Sequence, residues 1–288
     1  MNSINLSVAL VTRNRPESLE RCLKSWRSQT IAPFEIVVSD DSDQSYILEI
    51  QKLADIYGCI YTEGSKRGLY ANRNHASLTC KGTHILSADD DHTHPIDYVE
   101  KILMLIKTNV QTVWIFSERH PSNPDAPLVC PSQYIKGGKI GISKNVNDCA
   151  SIADGSSVYP RQIFDQGLRY DETYRFGSMW YLWGHTLKNK GWIICFSDQT
   201  FVWHHCESDG REFDPSWLKN QIEANLYCLL VFTFFLKPSI EGATRSFYNL
   251  FKSLAFSQSI QGYKVKTRLS LQNTQRLVVN FFEARKFY

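Results

Sequence analysis

The chain has 288 residues, a formal net charge of +3 and eight cysteines. This length suits one large α/β unit with an appended subdomain, and so small a charge excess gives no indication of a nucleic-acid partner. The cysteines show no CxxC pair and no zinc-type spacing, which indicates reduced thiols in a cytoplasmic protein rather than disulfides or structural zinc.

The N-terminus has neither the charged segment nor the long apolar segment of a signal peptide, and its first apolar run, residues 6–11, is predicted to be a strand. The longest apolar run, residues 226–236, is well short of the roughly 20 residues that cross a bilayer. We therefore expect neither a secretory leader nor a membrane-spanning helix.

Apolar strands alternate with amphipathic helices through the first part of the chain. The predicted strands are residues 6–11, 34–39, 59–63, 83–88 and 112–117. The predicted helices are residues 15–29, residues 46–58, a segment starting near residue 70, and residues 95–107. Continuous apolar strands separated by helices predict an α/β fold, with a mainly parallel sheet flanked by helices on both faces. Ligands bind at the carboxyl ends of such strands.

The regular alternation ends near Glu118, where the chain becomes rich in Pro, Gly, Ser and Asn up to about residue 147. This composition predicts irregular loops or an edge hairpin. A helix is predicted from about Ser178 to Asn189, followed by two strands that finish at His204. The remainder is predicted to be helical. The chain is accordingly divided into residues 1–117, 118–214 and 215–288.

Polar clusters follow three of the predicted strands: TRNR at residues 12–15, DDSD at residues 40–43 and DDDH at residues 89–92. Like charges repel, so three adjacent carboxylates indicate a cation, and oxygen ligands suit Mg²⁺ or Mn²⁺ that holds a phosphate-containing substrate. The alternative is structural, because Asp is also common in a solvated turn that caps the next helix. The same alternative treats these basic residues as surface charges: Arg13, Arg15 and Arg73.

Two stretches resemble the family 2 glycosyltransferases. The first, residues 6–43, reads LSVALVTRNRPESLERCLKSWRSQTIAPFEIVVSDDSD and resembles the family's opening strand, Thr-x-Asn-Arg turn, helix and Asp-Asp turn. The second, residues 67–91, reads RGLYANRNHASLTCKGTHILSADDD and resembles the block in which an Ala-x-Arg-Asn turn and a helix lead to an Asp-x-Asp signature. The resemblance is close over residues 6–95. It implies a GT-A fold with a nucleotide-sugar-binding half (1–117), an acceptor-side half (118–214) and a helical C-terminal region (215–288).

The resemblance also implies roles for residues at these turns. Asp41 matches the position that contacts the nucleotide base, and Arg73 matches the arginine near the nucleotide or its pyrophosphate. Asp91 is the expected metal ligand, and Asp89 is directed toward the ribose or the metal. The other nucleotide-site candidates in the matching turns are Thr12, Asn14, Arg15 and Asp90. The family's late histidine, which completes the metal shell, is either His204 or His205, and the other one is structural.

The acceptor half lacks one group that the resemblance leads us to expect. Inverting members of the family take the acceptor's proton with a carboxylate in a Gly-Glu-Asp turn, whereas here Gly177 is followed by Ser178 and Met179. An inverting displacement still needs a proton acceptor. Asp154 ranks first because its turn of small residues can open to the cleft, although it could equally cap that turn. The candidate substitutes are Asp154, Asp171 and Glu172. The aromatic residues assigned to packing are Trp180, Tyr181 and Trp183.

These assignments predict an inverting glycosyltransferase that moves a sugar from a nucleotide-diphosphate donor to an acceptor hydroxyl with Mn²⁺ or Mg²⁺, in surface glycan assembly. The acceptor is expected to be a saccharide or a lipid-linked saccharide. The alternative is a nucleotide-sugar-binding or scaffold protein that has lost its catalytic base. A dinucleotide-dependent oxidoreductase is disfavoured because the first turn has no glycine fingerprint.

The last part of the chain combines apolar and basic residues. Residues 225–237 and 247–256 are strongly apolar, while residues 262–277 and 283–288 supply Lys and Arg. Such a pattern is typical of a helix that lies on an anionic membrane, here the inner face of the cytoplasmic membrane. The alternative is that these helices pack on the catalytic domain or form a homodimer contact.

Overall fold

The computed structural model describes residues 3–127, 132–135, 138–143, 145–206, 215–257 and 267–288. Eleven strands lie in these residues: β1 (Leu6–Thr12), β2 (Glu35–Asp40), β3 (Ile60–Glu63), β4 (His84–Asp89), β5 (His92–Thr93), β6 (Thr112–His120), β7 (Asn123–Pro127), β8 (Ser132–Ile135), β9 (Lys139–Ile142), β10 (Ser156–Pro160) and β11 (Ile193–His204). The described helices are α1 (Pro16–Arg27), α2 (Gln44–Ile56), α3 (Leu69–Thr79), α4 (Tyr98–Thr108), α5 (Gln162–Asp165), α6 (Met179–Asn189), α7 (Pro215–Val231), α8 (Ile240–Ala255) and α9 (Leu271–Ala284), with a π-helical turn at Phe232–Leu236.

Most of the strands form one mixed sheet in the order β3-β2-β1-β4-β10-β6-β11-β5, with β7 paired to β6. The pairs β1–β2, β1–β4, β2–β3 and β6–β11 are parallel, whereas β10 runs antiparallel between β4 and β6. The predicted α/β architecture, a mainly parallel sheet flanked by helices, is confirmed. The sheet brings the carboxyl ends of β1, β2 and β4 together, as the polar clusters require.

Helices cover both faces of this sheet because alternate side chains of a strand point to opposite sides. Leu6, Val8 and Leu10 of β1 enter one core with α1 and α4, whereas Ala9 and Val11 enter the other core with α3, α6 and α7. Helix α1 begins at a proline, which suits the first helical position, and buries its apolar stripe. That stripe consists of Leu19, Cys22, Leu23 and Trp26.

Three features differ from the sequence predictions. Strand β10 was not predicted: it is short, it contains two serines and it ends at a proline, so it shows no apolar run. The two strands predicted to finish at His204 are one strand, β11, with a register shift between Ser197 and Phe201. The division at 117/118 falls inside β6, which continues to His120.

Some predictions lie partly outside the described residues. These are the irregular region at 128–131, 136–137 and 144, the reduced thiol of Cys130, and the basic segment at 262–266. Where the loop region is described it forms two hairpins, β6–β7 and β8–β9. None of the described helices has the length and apolar character needed to cross a membrane.

Candidate functional site

A cavity of about 370 Å³ opens at the carboxyl ends of β1, β2 and β4. Its second wall comes from the loop before α6 and from the first turns of α7. Eight residues named from the sequence line it: Thr12, Arg15, Asp41, Arg73, Asp89, Asp91, Asp154 and His204. The fold therefore collects in one place groups that the sequence distributes over nearly two hundred residues.

Asp91, His92 and His204 form a cluster in which one potential ligand atom of each lies within 4.8 Å of the others. Strand pairing produces it, because β5 runs antiparallel to β11 and sets His204 directly opposite His92. His205, the other candidate, does not join the cluster: its Nε2 lies 3.0 Å from Thr93 Oγ1. His204, rather than His205, therefore lies beside Asp91, together with His92, for which the sequence suggested no ligand role.

The two imidazoles are oriented by bonds on the side away from the cluster. The Nδ1 atom of His92 lies 3.2 Å from the carbonyl oxygen of Gly155, and that of His204 lies 2.9 Å from Glu118 Oε2. A carbonyl only accepts, so the proton of neutral His92 is on Nδ1 and its Nε2 carries a lone pair. That buried Nε2 has no hydrogen-bond partner in the described part of the chain. A divalent cation fits this donor set, because each imidazole is hydrogen-bonded through its other ring nitrogen, as is typical of metal-binding histidines.

When no cation is bound, the negative charge of Asp91 is balanced by the protonated His204 and by Arg15. Burial lowers the pKa of His204, but its contacts with Asp91 and Glu118 outweigh burial and raise that pKa to about 11. Burial alone would raise the pKa of Asp91, but the contact with His204, whose Nε2 is 3.6 Å from Asp91 Oδ2, and the charge of Arg15 lower that pKa. Metal binding would therefore displace a proton from this site.

Asp90, which is fully buried, pairs with Arg15, which lines the cavity. Asp90 Oδ2 accepts a hydrogen bond from Thr12 Oγ1 at 2.6 Å, and the Arg15 guanidinium binds both Asp90 and Asp91. Burial raises the pKa of Asp90 to about 7 against the opposing effect of Arg15. Asp90 was predicted to contact the nucleotide, but its side chain is fully buried and instead holds Arg15 in place.

Arg73 and Asp89 form the neighbouring pair, which does face the cavity. Arg73 donates to Asp89 Oδ1 at 2.6 Å and to Ser87 Oγ at 2.9 Å, so α3 and the end of β4 are joined at this point. Burial would raise the pKa of Asp89, but Arg73 outweighs it and lowers the pKa. The carboxylate therefore stays ionised and available to a ligand on its remaining side.

Asp41 lies on the cavity wall at the end of β2, as predicted. Its Oδ1 accepts a hydrogen bond from the backbone N–H of Lys66 at 2.8 Å. Gly64 allows this approach, because a Cβ there would overlap both Asp41 Oδ1 and Asn72 Oδ1. Asn14, also predicted to contact the nucleotide, does not line the cavity: it is in the left-handed region (φ 56°) and donates to Asp43 Oδ2.

The three candidate bases are not equivalent. Asp154 lines the cavity, and burial, with repulsion from Asp89 and against the attraction of Arg73, raises its pKa to about 7. Asp171 accepts hydrogen bonds from the hydroxyls of Tyr227 and Tyr288. Glu172 accepts from Asn74 and pairs with Arg67. Neither Asp171 nor Glu172 lines the cavity. Their hydrogen bonds instead hold the loop before α6 against α7 and α3.

The sequence analysis did not propose several of the residues that line the cavity. Among them are Tyr70, Arg175, Phe176, Trp180, Trp217 and Gln221. The packing assignment holds for Trp180, which is partly buried against the core cluster of Tyr181 and Trp183, but Trp180 also lines the cavity. Gly68 (φ 116°) lets the Arg175 loop approach, since a Cβ there would lie 2.6 Å from Arg175 Cα. No local pattern marks these residues, whereas His92, adjacent to Asp91, could have been found.

The family model for glycosyl transferase family 2 matches residues 7–168. An uncharacterized glycosyltransferase of Haemophilus influenzae is 28% identical over 117 residues, which cover 41% of this chain and 38% of that protein. The GalNAc(5)-diNAcBac-PP-undecaprenol beta-1,3-glucosyltransferase of Campylobacter jejuni is 32% identical over 90 residues, 30% of this chain and 29% of that protein. The matched stretches thus span less than two fifths of these relatives' length.

Solved structures show the same fold. GalNAc-T7 with UDP, GalNAc and Mn²⁺ superposes with a TM-score of 0.61 at 15% identity, over 74% of this chain and 45% of that one. S. aureus TarS 1-349 in complex with UDP superposes with a TM-score of 0.58 at 15% identity, over 98% of this chain and 81% of that one. The predicted GT-A fold is confirmed by these similarities.

Proposed function

The chain belongs to glycosyl transferase family 2, and we propose that it transfers a sugar from a nucleoside diphosphate donor to an acceptor hydroxyl, with inversion and with the help of a divalent metal ion. One observation carries the proposal: the cluster of Asp91, His92 and His204 borders the cavity through Asp91 and His204, and the same cavity is lined by Asp41 and the Arg73–Asp89 pair. Hard-cation ligands and nucleotide-binding groups are what a nucleotide sugar requires together.

The metal is proposed to be Mn²⁺. Asp91, His92 and His204 would hold it, and two imidazoles beside one carboxylate suit Mn²⁺ better than Mg²⁺, which prefers oxygen ligands throughout. When bound, such an ion neutralises the charge that develops on the diphosphate leaving group. Arg15 and Arg175 line the same cavity and add positive charge to the diphosphate subsite.

The donor is oriented by the protein's own side chains. Asp41, at the end of β2, would accept a hydrogen bond from the nucleotide base, and Asp89, held by Arg73, would accept one from the ribose hydroxyls. Both carboxylates are fixed by their partners before the donor arrives, which reduces the entropy lost on binding. GalNAc-T7 and TarS are described with UDP, which supports a uridine donor for this chain.

Asp154 is the proposed general base. In the displacement, the acceptor oxygen forms a bond to the anomeric carbon while the bond from that carbon to the diphosphate breaks, and Asp154 takes the acceptor's hydroxyl proton. Its pKa of about 7, raised mainly by burial, suits a group that accepts a proton near neutral pH. Asp154 thereby replaces the carboxylate that is missing after Gly177, where Ser178 donates to Asn225 instead.

The acceptor is proposed to be a saccharide, held on the aromatic side of the cavity. Phe176, Trp180 and Trp217 line that side, and aromatic faces pack well against the C–H faces of sugar rings. The Campylobacter relative is named for a lipid-linked oligosaccharide, which supports a lipid-linked acceptor and a role in surface glycan assembly. A cytoplasmic site of action agrees with the described cysteines, which are free thiols.

Nucleotide release and calorimetry test the proposal. UDP and GDP should bind with measurable heat when Mn²⁺ is present and much more weakly after chelation, and slow hydrolysis of a matching nucleotide sugar should release the nucleotide. Absence of heat with either nucleotide in the presence of Mn²⁺ would exclude the donor site. Metal-dependent nucleotide binding without turnover of any nucleotide sugar would favour the alternative, a binding or scaffold protein, for which the unusual Ser178 is the supporting observation.

A further inference from the structure

Helix α8 has an unusual distribution of side chains. It buries Gly242, Ser246 and Ser253, which are small or polar. Leu250 and Leu254 are partly buried against the core. Four other large apolar residues are exposed, and they recur at helical spacing along the opposite side. They are Ile240, Phe247, Tyr248 and Phe251. A helix whose aromatic side faces away from the core loses the main stabilisation available to an amphipathic helix, so another apolar surface is expected to cover it.

Helix α9 repeats this arrangement. Leu277 and Ala284 are buried, and α9 packs on α7. Four larger residues on another side are exposed at the same helical spacing: Leu271, Val278, Val279 and Phe282. Two neighbouring helices therefore each present an apolar stripe.

The π-helical turn between α7 and α8 joins the two stripes. The ring of Phe234 lies 6.3 Å from that of Phe247 on α8 and 5.6 Å from that of Phe281 on α9, centroid to centroid. Phe281 in turn lies 5.5 Å from Phe282. We call this continuous surface the aromatic face; its members are the eight exposed residues of α8 and α9 together with Phe234.

The segment that carries the aromatic face is positively charged. Residues 237–288 contain nine Lys and Arg against two Glu, a net charge of +7, whereas the whole chain carries +3, so residues 1–236 carry −4. Five of these basic residues are exposed on α8, on α9 or next to α9: Lys252, Arg268, Arg276, Arg285 and Lys286. Arg276 is paired with Glu223. The excess belongs to the same segment as the exposed aromatic residues.

The aromatic face is also connected to the proposed catalytic cavity. Trp217 and Gln221, near the start of α7, line the cavity, and α7 ends at the π-helical turn. At about 1.5 Å per residue, Gln221 and Phe234 are roughly 20 Å apart along the helix axis. A surface that binds the aromatic face is thus held one helix length from the cavity.

We propose that the aromatic face docks on an anionic lipid membrane, with Phe251 and Phe282 entering the headgroup region and the surrounding Lys and Arg contacting lipid phosphates. Apolar side chains bordered by basic ones are the combination that an interfacial helix needs. A second copy fits less well, because a two-fold contact through this face would bring two segments of charge +7 together. The proposal concerns attachment and not transfer, so it can fail without affecting the transferase.

Vesicle flotation of the full chain without donor or acceptor tests the proposal. The protein is expected to float with phosphatidylglycerol-containing vesicles at low salt, to float less at raised salt because charges are screened, and not to float with phosphatidylcholine alone. Protein that stays in the soluble fraction with anionic vesicles at low salt would overturn the proposal. Floating equally with both lipids would also overturn it, since the basic residues would then have no role.

Matched variants locate the contact. Phe251→Ser with Phe282→Ser removes two side chains that are 63% and 66% exposed, and should reduce vesicle partitioning at least about tenfold. The control is Leu48→Ser with Ile56→Ser on α2, where the side chains are 78% and 64% exposed; partitioning should not change. Equal losses in both pairs would show that the contact is not at the aromatic face.

Charge reversal and sedimentation complete the test. Lys252→Glu with Lys286→Glu should weaken anionic-vesicle binding, whereas Lys52→Glu with Lys107→Glu, on α2 and α4, should leave it intact. Analytical ultracentrifugation decides about a second copy. A wild-type dimer that Phe251→Ser with Phe282→Ser converts to a monomer, in a protein that does not float, would mean that another copy covers the face.

Discussion

His204 is hydrogen-bonded through Nδ1 to Glu118 Oε2 at 2.9 Å, and this bond turns its Nε2 toward Asp91. Glu118 is itself held by the hydroxyl of Ser156 on β10. A carboxylate on the far side of a metal-binding histidine fixes the ring and increases its basicity as a ligand. Glu118 therefore acts as a positioning residue for the proposed metal site.

Glu118→Gln should weaken Mn²⁺ binding by about 10- to 100-fold, because the amide keeps the shape but loses the charge that orients His204. Calorimetric titration with Mn²⁺ measures the change. Glu49→Gln, an exposed position on α2, is the control and should bind Mn²⁺ like the wild type. Unchanged affinity in Glu118→Gln would mean that His204 does not bind the metal through Nε2.

Asp91→Asn should lower the turnover of the nucleotide sugar by about a hundredfold or more, because the site would lose the anionic ligand that holds the counter-ion of the leaving group. Single-turnover release of nucleotide measures this directly. Asp55→Asn, exposed on α2, should be fully active. Near-normal turnover in Asp91→Asn would place the metal elsewhere.

Asp154 should give the reaction its pH dependence. Burial raises its pKa to about 7, so below that pH it is protonated and cannot accept a proton. The value of kcat/KM should therefore rise with pH up to about 7 and then level off, and Asp154→Asn should be nearly inactive with no such rise. Glu172→Gln is the matched control, since Glu172 lies outside the cavity, and should keep the wild-type profile.

The raised pKa of Asp154 also makes the stability of the folded protein depend on pH. The folded state holds the Asp154 proton more tightly than the unfolded state, whose pKa is about 4. The stabilisation due to this proton is present below about pH 4 and is lost as the pH rises toward 7. The thermal midpoint of the wild type should thus fall over this range relative to that of Asp154→Asn. If the difference in thermal midpoint between the wild type and Asp154→Asn does not change with pH, the pKa of Asp154 is not raised in the folded state.

Gly155→Ala should disrupt the metal cluster by crowding. A Cβ at this position would overlap His92 Cε1 and lie 2.5 Å from Asp89 Oδ2. Mn²⁺ affinity should fall at least about tenfold as His92 is displaced. Gly242→Ala, whose Cβ would lie 2.8 Å from Ser239 Oγ far from the cavity, is the control for crowding alone. It should lower the melting temperature without changing Mn²⁺ affinity.

The sequence by itself determined the local elements and the groups attached to them. Strands β1 to β4 and their helices follow from hydrophobic periodicity, which each segment carries within its own residues. Asp41, Asp89 and Asp91 could be located because they directly follow strands whose carboxyl ends must meet in a parallel sheet. The helix before Asn189 and the helical C-terminal region were predictable for the same reason.

Only the tertiary structure decided which distant groups meet. His92 and His204 are more than a hundred residues apart and are paired by the β5–β11 ladder, whereas Ser156 of β10 and the preceding Gly155 contact Glu118 and His92. Asp154 enters the cavity while Asp171 is bound by two tyrosines, a distinction set by chain packing. Likewise, periodicity identifies a stripe on α8 but not whether the core or another surface covers it, because the stripe has the same spacing in both cases.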